Sequence, residues 1–135
     1  MREFFRKIKL PLFIILIIIA VLFILTCVVY SNKKTISYVI EGKKYHLLVA
    51  KTPAEWEKGL MDIYQKENYD GMMFVFPEKS KQNFWNKNTY LDLDIYWIDD
   101  DSIVGKSFLP SIDKTKEIAQ VTSPQEVNKV VEIIR

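Results

Sequence analysis

Five residues within one short stretch could do chemistry together: Trp85, Lys87, Asn88, Thr89 and Asp94. A Trp face stacks on sugar rings, while Lys and Asn bind hydroxyls or carboxylates, so the set suits a polar ligand such as a carbohydrate or a small anion. The competing reading is structural. Asn88 and Thr89 would then cap a turn, and Lys87 would pair with Asp94 to fix the register of two strands.

No residue is assigned a catalytic role. Lys87 beside Asp94 could move a proton, but no His, Cys or Ser partner accompanies them. Asp92 and Asp94 resemble a glycosidase pair, yet on one strand they would lie only about 7 Å apart, and both look exposed enough to stay ionised. A hydrolase-like enzyme acting on cell-envelope carbohydrate or peptide is therefore the alternative reading, behind a binding or interaction module.

Metal and cofactor chemistry find little support. Asp99-Asp100-Asp101 lacks the alternating ligands, the Gly and the distal Glu of a calcium loop. His46 stands alone on a strand, where a solvent-facing or partly buried role is expected. The single cysteine, Cys27, lies in an apolar run, which leaves the domain without a thiol for disulfide, zinc or nucleophilic chemistry. No cofactor is expected.

Charge argues against nucleic acid. Residues 1–9 hold four of the 19 basic and one of the 17 acidic residues, so from Ser31 onward 15 face 16 and the domain stands at −1. Basic and acidic residues are interspersed, with no stripe of one sign.

The elements that must position the five residues begin with an anchor. Residues 10–30 contain sixteen Leu, Ile, Val and Phe and no charge. They read as a single transmembrane helix of roughly 30 Å, with residues 1–9 as a basic cytoplasmic head. Arg2, Arg6, Lys7 and Lys9 outnumber Lys33 and Lys34, which puts the N-terminus in the cytoplasm and the C-terminal domain outside it. A cleaved signal peptide is the competitor, although its apolar region is normally shorter and no Ala-x-Ala site follows. A third reading acylates Cys27 after Ile24-Leu25-Thr26, where Thr is bulkier than the usual small residue. The expected partners are thus the membrane, through 10–30, and an envelope polysaccharide or protein.

After a linker at 31–35, residues 36–135 form the expected extracytoplasmic domain. Ile36–Ile40 and Tyr45–Ala50 read as a hairpin across Glu41-Gly42-Lys43-Lys44. Thr52-Pro53-Ala54-Glu55 is a capping box that opens a short helix with Trp56 and Leu60 on its apolar face. Gly59-Leu60-Met61 reads as core, with pocket lining as the alternative. Residues 62–70 read as a surface loop and 71–76 as a strand or barrel stave closed by Pro77. Strands follow at 83–86, 93–98 and 103–108 as a meander. Residues 109–116 read as a loop, and 117–121 and 127–134 as last strands, the final one with helix as an alternative. The fold class is α+β and β-rich: a small antiparallel, barrel-like sheet with one short helix.

From about residue 46 to 134 the order of these features resembles the family known as domain of unknown function 192. The matching motifs are Thr52-Pro53-Ala54-Glu55, Gly59-Leu60-Met61, Gly71-Met72-Met73-Phe74-Val75-Phe76, Phe84-Trp85-Asn86-Lys87-Asn88-Thr89, Leu93-Asp94 and Ile98-Asp99, with Ser123-Pro124 and Val130-Val131-Glu132-Ile133 as a late segment. Ile63 stands where the family has Arg, Asn86 where it has Met, Asp92 where it has Pro, and Asp101-Ser102 where it has Asp-Gly. The family's glycine-rich tail would lie beyond Arg135. The resemblance implies a small β-rich α+β domain, often exported or membrane-attached, with no agreed function. Asn86 poses a question: an amide facing a pocket would favour a polar ligand, and one facing solvent would mean little.

Overall fold

The computed structural model describes residues 13–26 and 35–135, which belong to two separate compact units. Residues 13–26 form helix α1, with apolar side chains exposed on every face of the helix. At about 1.5 Å per residue the described portion covers some 20 Å. Among the described residues no helix is long and apolar enough to cross a membrane. The predicted spanning helix at 10–30 is not found there. Its ends, the basic head, Cys27 and most of the 31–35 linker lie outside the described residues.

The second unit is β-rich α+β, built on one six-stranded sheet in the order β1-β2-β3-β8-β5-β6. Its strands are β1 (Thr35–Ile40), β2 (Lys43–Ala50), β3 (Gly71–Ser80), β5 (Leu93–Asp99), β6 (Ser102–Leu109) and β8 (Val127–Ile134). A separate two-stranded sheet joins β4 (Asn83–Trp85) to β7 (Gln120–Thr122). The predicted barrel-like closure is corrected: β1 and β6 are free edges of an open sheet. All neighbours are antiparallel except β2 and β3, which run parallel. The reason is the crossover between them, because helix α2 (Pro53–Lys58) and the following loop return the chain to the starting end of the sheet.

Local chemistry explains the elements that were legible. Glu41 and Gly42 both have positive φ, 51° and 81°, so β1 and β2 are joined by a two-residue turn whose twist suits a hairpin. The connection is shorter than the four residues expected. Thr52 and Glu55 form the predicted capping box: Glu55 N donates to Thr52 Oγ1 at 3.4 Å, and Thr52 N donates to Glu55 Oε2 at 3.0 Å. Strand β3 runs on through Pro77 to Ser80, and its pairing with β8 becomes irregular between Val75 and Ser80, which accommodates the missing N–H. The expected loop at 109–116 contains a one-turn helix, α3 (Ile112–Thr115), so the domain has two short helices where one was predicted. The 83–86 strand leaves the meander to pair with β7.

The last strand, β8, lies inside the sheet between β3 and β5. Each face of the sheet carries a core. One gathers Leu48, Phe74, Ile95, Trp97, Val130 and Ile134, the other Leu47, Met73, Tyr96, Ile98, Val131 and Ile133. Odd and even positions of β3, β5 and β8 thus serve opposite faces, as strand geometry requires. Position 132 falls on the first face, where Phe74 and Trp97 lie, and it is a glutamate.

Candidate functional site

Helix α2, strand β4 and the first face of the sheet border a half-open cavity of about 310 Å³. The capping box fixes where α2 starts, and the Gly59 N–H donates to Glu55 O (2.9 Å) where the helix ends. Trp56 is held by its indole N–H on Ala50 O at 3.2 Å and by its ring against Phe76 at 5.1 Å, forming one wall. Strand β4 supplies the opposite wall. Phe84 packs edge-on against Phe74 and Trp97, with ring centroids at 4.8 and 5.8 Å, and Trp85 borders the cavity while 42% exposed. Phe74 and Glu132 complete the lining from the sheet, while Glu57, Lys58, Gln82 and Asn83 are among its polar members.

Glu132 is the unusual member. The residue is 4% exposed, and its buried Oε2 has no hydrogen-bond partner. Burial alone pushes its carboxyl up from 4.5 to about 8, because the apolar surroundings disfavour the charged form. At neutral pH the group is therefore mostly a protonated acid, with a donor and an acceptor facing a cavity. Two glycines lie beside it. Gly71 lets β3 press against the Glu132 backbone, and a methyl carbon on Gly59 would lie 3.9 Å from Glu132 Oε2.

The five residues singled out by spacing do not converge. Trp85 and Thr89 line the cavity, but Thr89 is occupied with the turn: its N–H donates to Asn86 O at 3.0 Å and its hydroxyl to Lys87 O at 3.2 Å. Asn88 adopts φ 51°, and its carbonyl accepts the Asp62 N–H at 2.8 Å. Both therefore serve the turn, as the structural reading anticipated. Lys87 is exposed and outside the lining. Asp94 is held by Lys106 and Arg135 at 3.3 and 2.9 Å, so the expected Lys87–Asp94 pair is replaced by partners from β6 and the chain's end. Asp94 and Glu132 lie on opposite faces of the sheet, since Asp94 faces Ile133 across the ladder and Ile95 faces Glu132.

Asn86 faces neither the cavity nor solvent. It is completely buried, its amide donating to Pro110 O and Thr115 Oγ1 at 2.9 and 2.8 Å and accepting from Ala119 N at 2.8 Å. It ties the 110–119 segment to β4. Asp92 does similar work for α3, accepting from Ser111 N at 2.9 Å and pairing with Lys114, and these contacts hold its carboxyl below the usual range. Asp92 is thus engaged in holding the α3 segment. Asp99 and Asp100 pair with Lys79 and Asp101 with Lys129, while the His46 side chain is exposed on β2.

Gly59-Leu60-Met61 serves both roles weighed for it: Leu60 is buried in the core and all three residues border the cavity. Sequence reading missed Glu132 as a site residue. The available signal was a lone carboxylate inside Val130-Val131-Glu132-Ile133-Ile134, where a buried strand leaves a charge no route to water.

Comparisons with known proteins agree with this architecture. A crystal structure from Sinorhizobium meliloti 1021, described as a candidate transcription regulator, is 30% identical, with a TM-score of 0.58 over 73% of this chain and 76% of that one. A protein of unknown function from Novosphingobium aromaticivorans DSM 12444 is 20% identical, with a TM-score of 0.56 over 76% and 82%, and shows the same fold. No curated protein matches the sequence. The model of the family described as an uncharacterised ACR, domain of unknown function 192, matches residues 32–135, and the chain belongs to that family.

Proposed function

We propose that the domain is a binding module displayed outside the cytoplasm and held at a membrane through the apolar segment 10–30. Its ligand is a small polar molecule with a ring or apolar body, such as a carbohydrate unit of the cell envelope. The observation that carries this reading is the cavity of about 310 Å³ between Trp56 and Trp85, with the Glu132 carboxyl in its lining. That size falls at the lower end of small-molecule sites, which are typically apolar with a few polar groups that fix orientation. Tethering is supported by the uniformly apolar surface of α1, a pattern suited to lipid rather than to water.

The regulator name of the Sinorhizobium protein is not carried over to this chain. Its domain has 15 basic residues against 16 acidic, and Lys58, Lys66, Lys79, Lys106, Lys114 and Lys129 are all ion-paired. With acidic residues in slight excess, the domain as a whole offers a phosphate backbone no net positive charge.

The three indole N–H resonances of the full chain test the reading, with the protein in a sugar-free polyoxyethylene detergent and titrated with N-acetylglucosamine to about 10 mM, well above a millimolar Kd. Trp56 and Trp85 should shift while the buried Trp97 stays fixed. Trp85→Ala and Glu132→Gln should weaken the response, whereas Lys87→Ala and Asp94→Asn should leave it unchanged. Silence at both Trp56 and Trp85 overturns the reading.

A further inference from the structure

The cavity's composition narrows its ligand further, on the premise that it is a binding site. Trp56, Phe74, Phe76, Phe84 and Trp85 place five aromatic residues in the lining, and the faces of such rings attract cations. Between them lies a carboxyl whose buried oxygen has no partner. Two acids line the cavity, Glu132 and Glu57, against one base, Lys58, and that base is engaged by Asp62 at 2.5 Å. The other polar members are uncharged: Gln82 and Asn83 beside β4, and Thr89 in the turn. From the sheet, neither Phe74 on β3 nor Ile95, which faces Glu132 on β5, bears charge. An anion would thus meet aromatic residues and, once the Glu132 proton leaves, a buried carboxylate, while the one lysine is already engaged by Asp62. A neutral ligand would leave most of that attraction unused.

We infer that the cavity takes an organic cation, an ammonium group seated among the aromatic rings with Glu132 as its counter-ion, whether on a small molecule or on a substituted carbohydrate. Binding exchanges one positive charge for another: the Glu132 proton leaves to solvent and the ligand's ammonium takes its place, so the buried site stays neutral throughout. The raised pKa of Glu132 makes this exchange inexpensive near neutral pH and imposes a proton linkage. Below about pH 8 a fixed-charge cation gains affinity as pH rises, by up to tenfold per unit.

Choline and its uncharged isostere 3,3-dimethylbutan-1-ol separate charge from shape, because neither titrates between pH 6 and 8. Calorimetry on the full chain in a choline-free, nonionic detergent should show choline binding more tightly, with its Kd falling about tenfold between pH 6 and 7 and nearly one proton released. The isostere should bind more weakly, with no pH dependence. Glu132→Gln, checked for folding by its melting temperature, should bring choline to the level of the isostere. Proton release by the unaltered protein, read in buffers of different ionisation enthalpy, gives the same answer without a variant. Equal, pH-independent binding of both probes overturns the cation while leaving the cavity a ligand site. Choline binding that persists in Glu132→Gln overturns the counter-ion. Binding of neither probe overturns the inference, and the N-acetylglucosamine titration then decides the cavity on its own.

Discussion

A methyl carbon on Gly71 would sit 1.8 Å from the carbonyl oxygen of Glu132. Bare backbone at Gly71 is what allows the start of β3 to lie against β8, and it fixes the strand that carries the cavity's carboxyl. Gly71→Ala must push the strands apart or break their ladder, since the obstructing atom is backbone and cannot rotate away. We expect a loss of about 3 kcal/mol or more, which in a domain of this size lowers the melting temperature by more than about 10 °C. A thermal melt that moves by less than a few degrees would contradict this contact.

Glu132 also sets a dependence of stability on pH. Its carboxyl titrates near 4.5 when unfolded and near 8 in the folded domain, so between these values the folded state holds a proton that the unfolded state has lost. Stability then falls as pH rises, by at most about 1.4 kcal/mol per unit from this group. Glu132→Gln removes the slope. The variant should match the parent near pH 5 and exceed it clearly at pH 8, as read from denaturant midpoints in parallel pH series. Parallel curves for the two proteins would show that Glu132 is ionised in the fold.

Asn86 predicts a stability effect without a binding effect. Asn86→Ala leaves Pro110 O, Thr115 Oγ1 and Ala119 N without their partner in a buried site, a loss of about 2–4 kcal/mol at the usual cost per group. Asn86→Asp should be worse, because an acceptor would replace the amide donor facing Pro110 O. Hydrogen exchange should speed up first in β4, β7 and residues 110–119. Slow exchange there in Asn86→Ala would mean that other contacts hold the segment.

The membrane reading makes a separate prediction. If the 10–30 segment inserts, the chain stays with the pellet after alkaline carbonate extraction, and Ile18→Lys, with a penalty of about 3 kcal/mol near the helix centre, shifts a measurable share to the supernatant. Protease added to intact cells should remove the domain. Full protection of the domain would overturn the exported orientation.

Some of this was legible before any coordinates. The capping box needs Thr52, Pro53 and Glu55 only, all within four residues, and α2 starts where it says. Alternating and β-branched runs likewise marked β1, β2, β5 and β6, and Gly42 marked the turn between the first two. Local chemistry cannot say which strands become neighbours. The 71–76 run reads as a strand covered on both faces or a barrel stave, and 127–134 as a strand with helix as the alternative, because both are apolar on two faces and have no clear period. Their pairing makes an open sheet with β8 inside it.

The candidate site divides in the same way. Sequence alone determined the family, the aromatic character of the Trp85 stretch and the turn chemistry of Asn88 and Thr89, because those follow from residue types a few positions apart. Tertiary structure alone decided that Asp94 turns away to Lys106 and Arg135, that Asn86 is a buried clip, and that Glu132 lines the cavity. The physical reason is desolvation. A carboxylate's cost and chemistry depend on what excludes water from it, and Glu132 is buried by segments such as β3 and α2 that are far from it in the chain and meet it only in the folded domain.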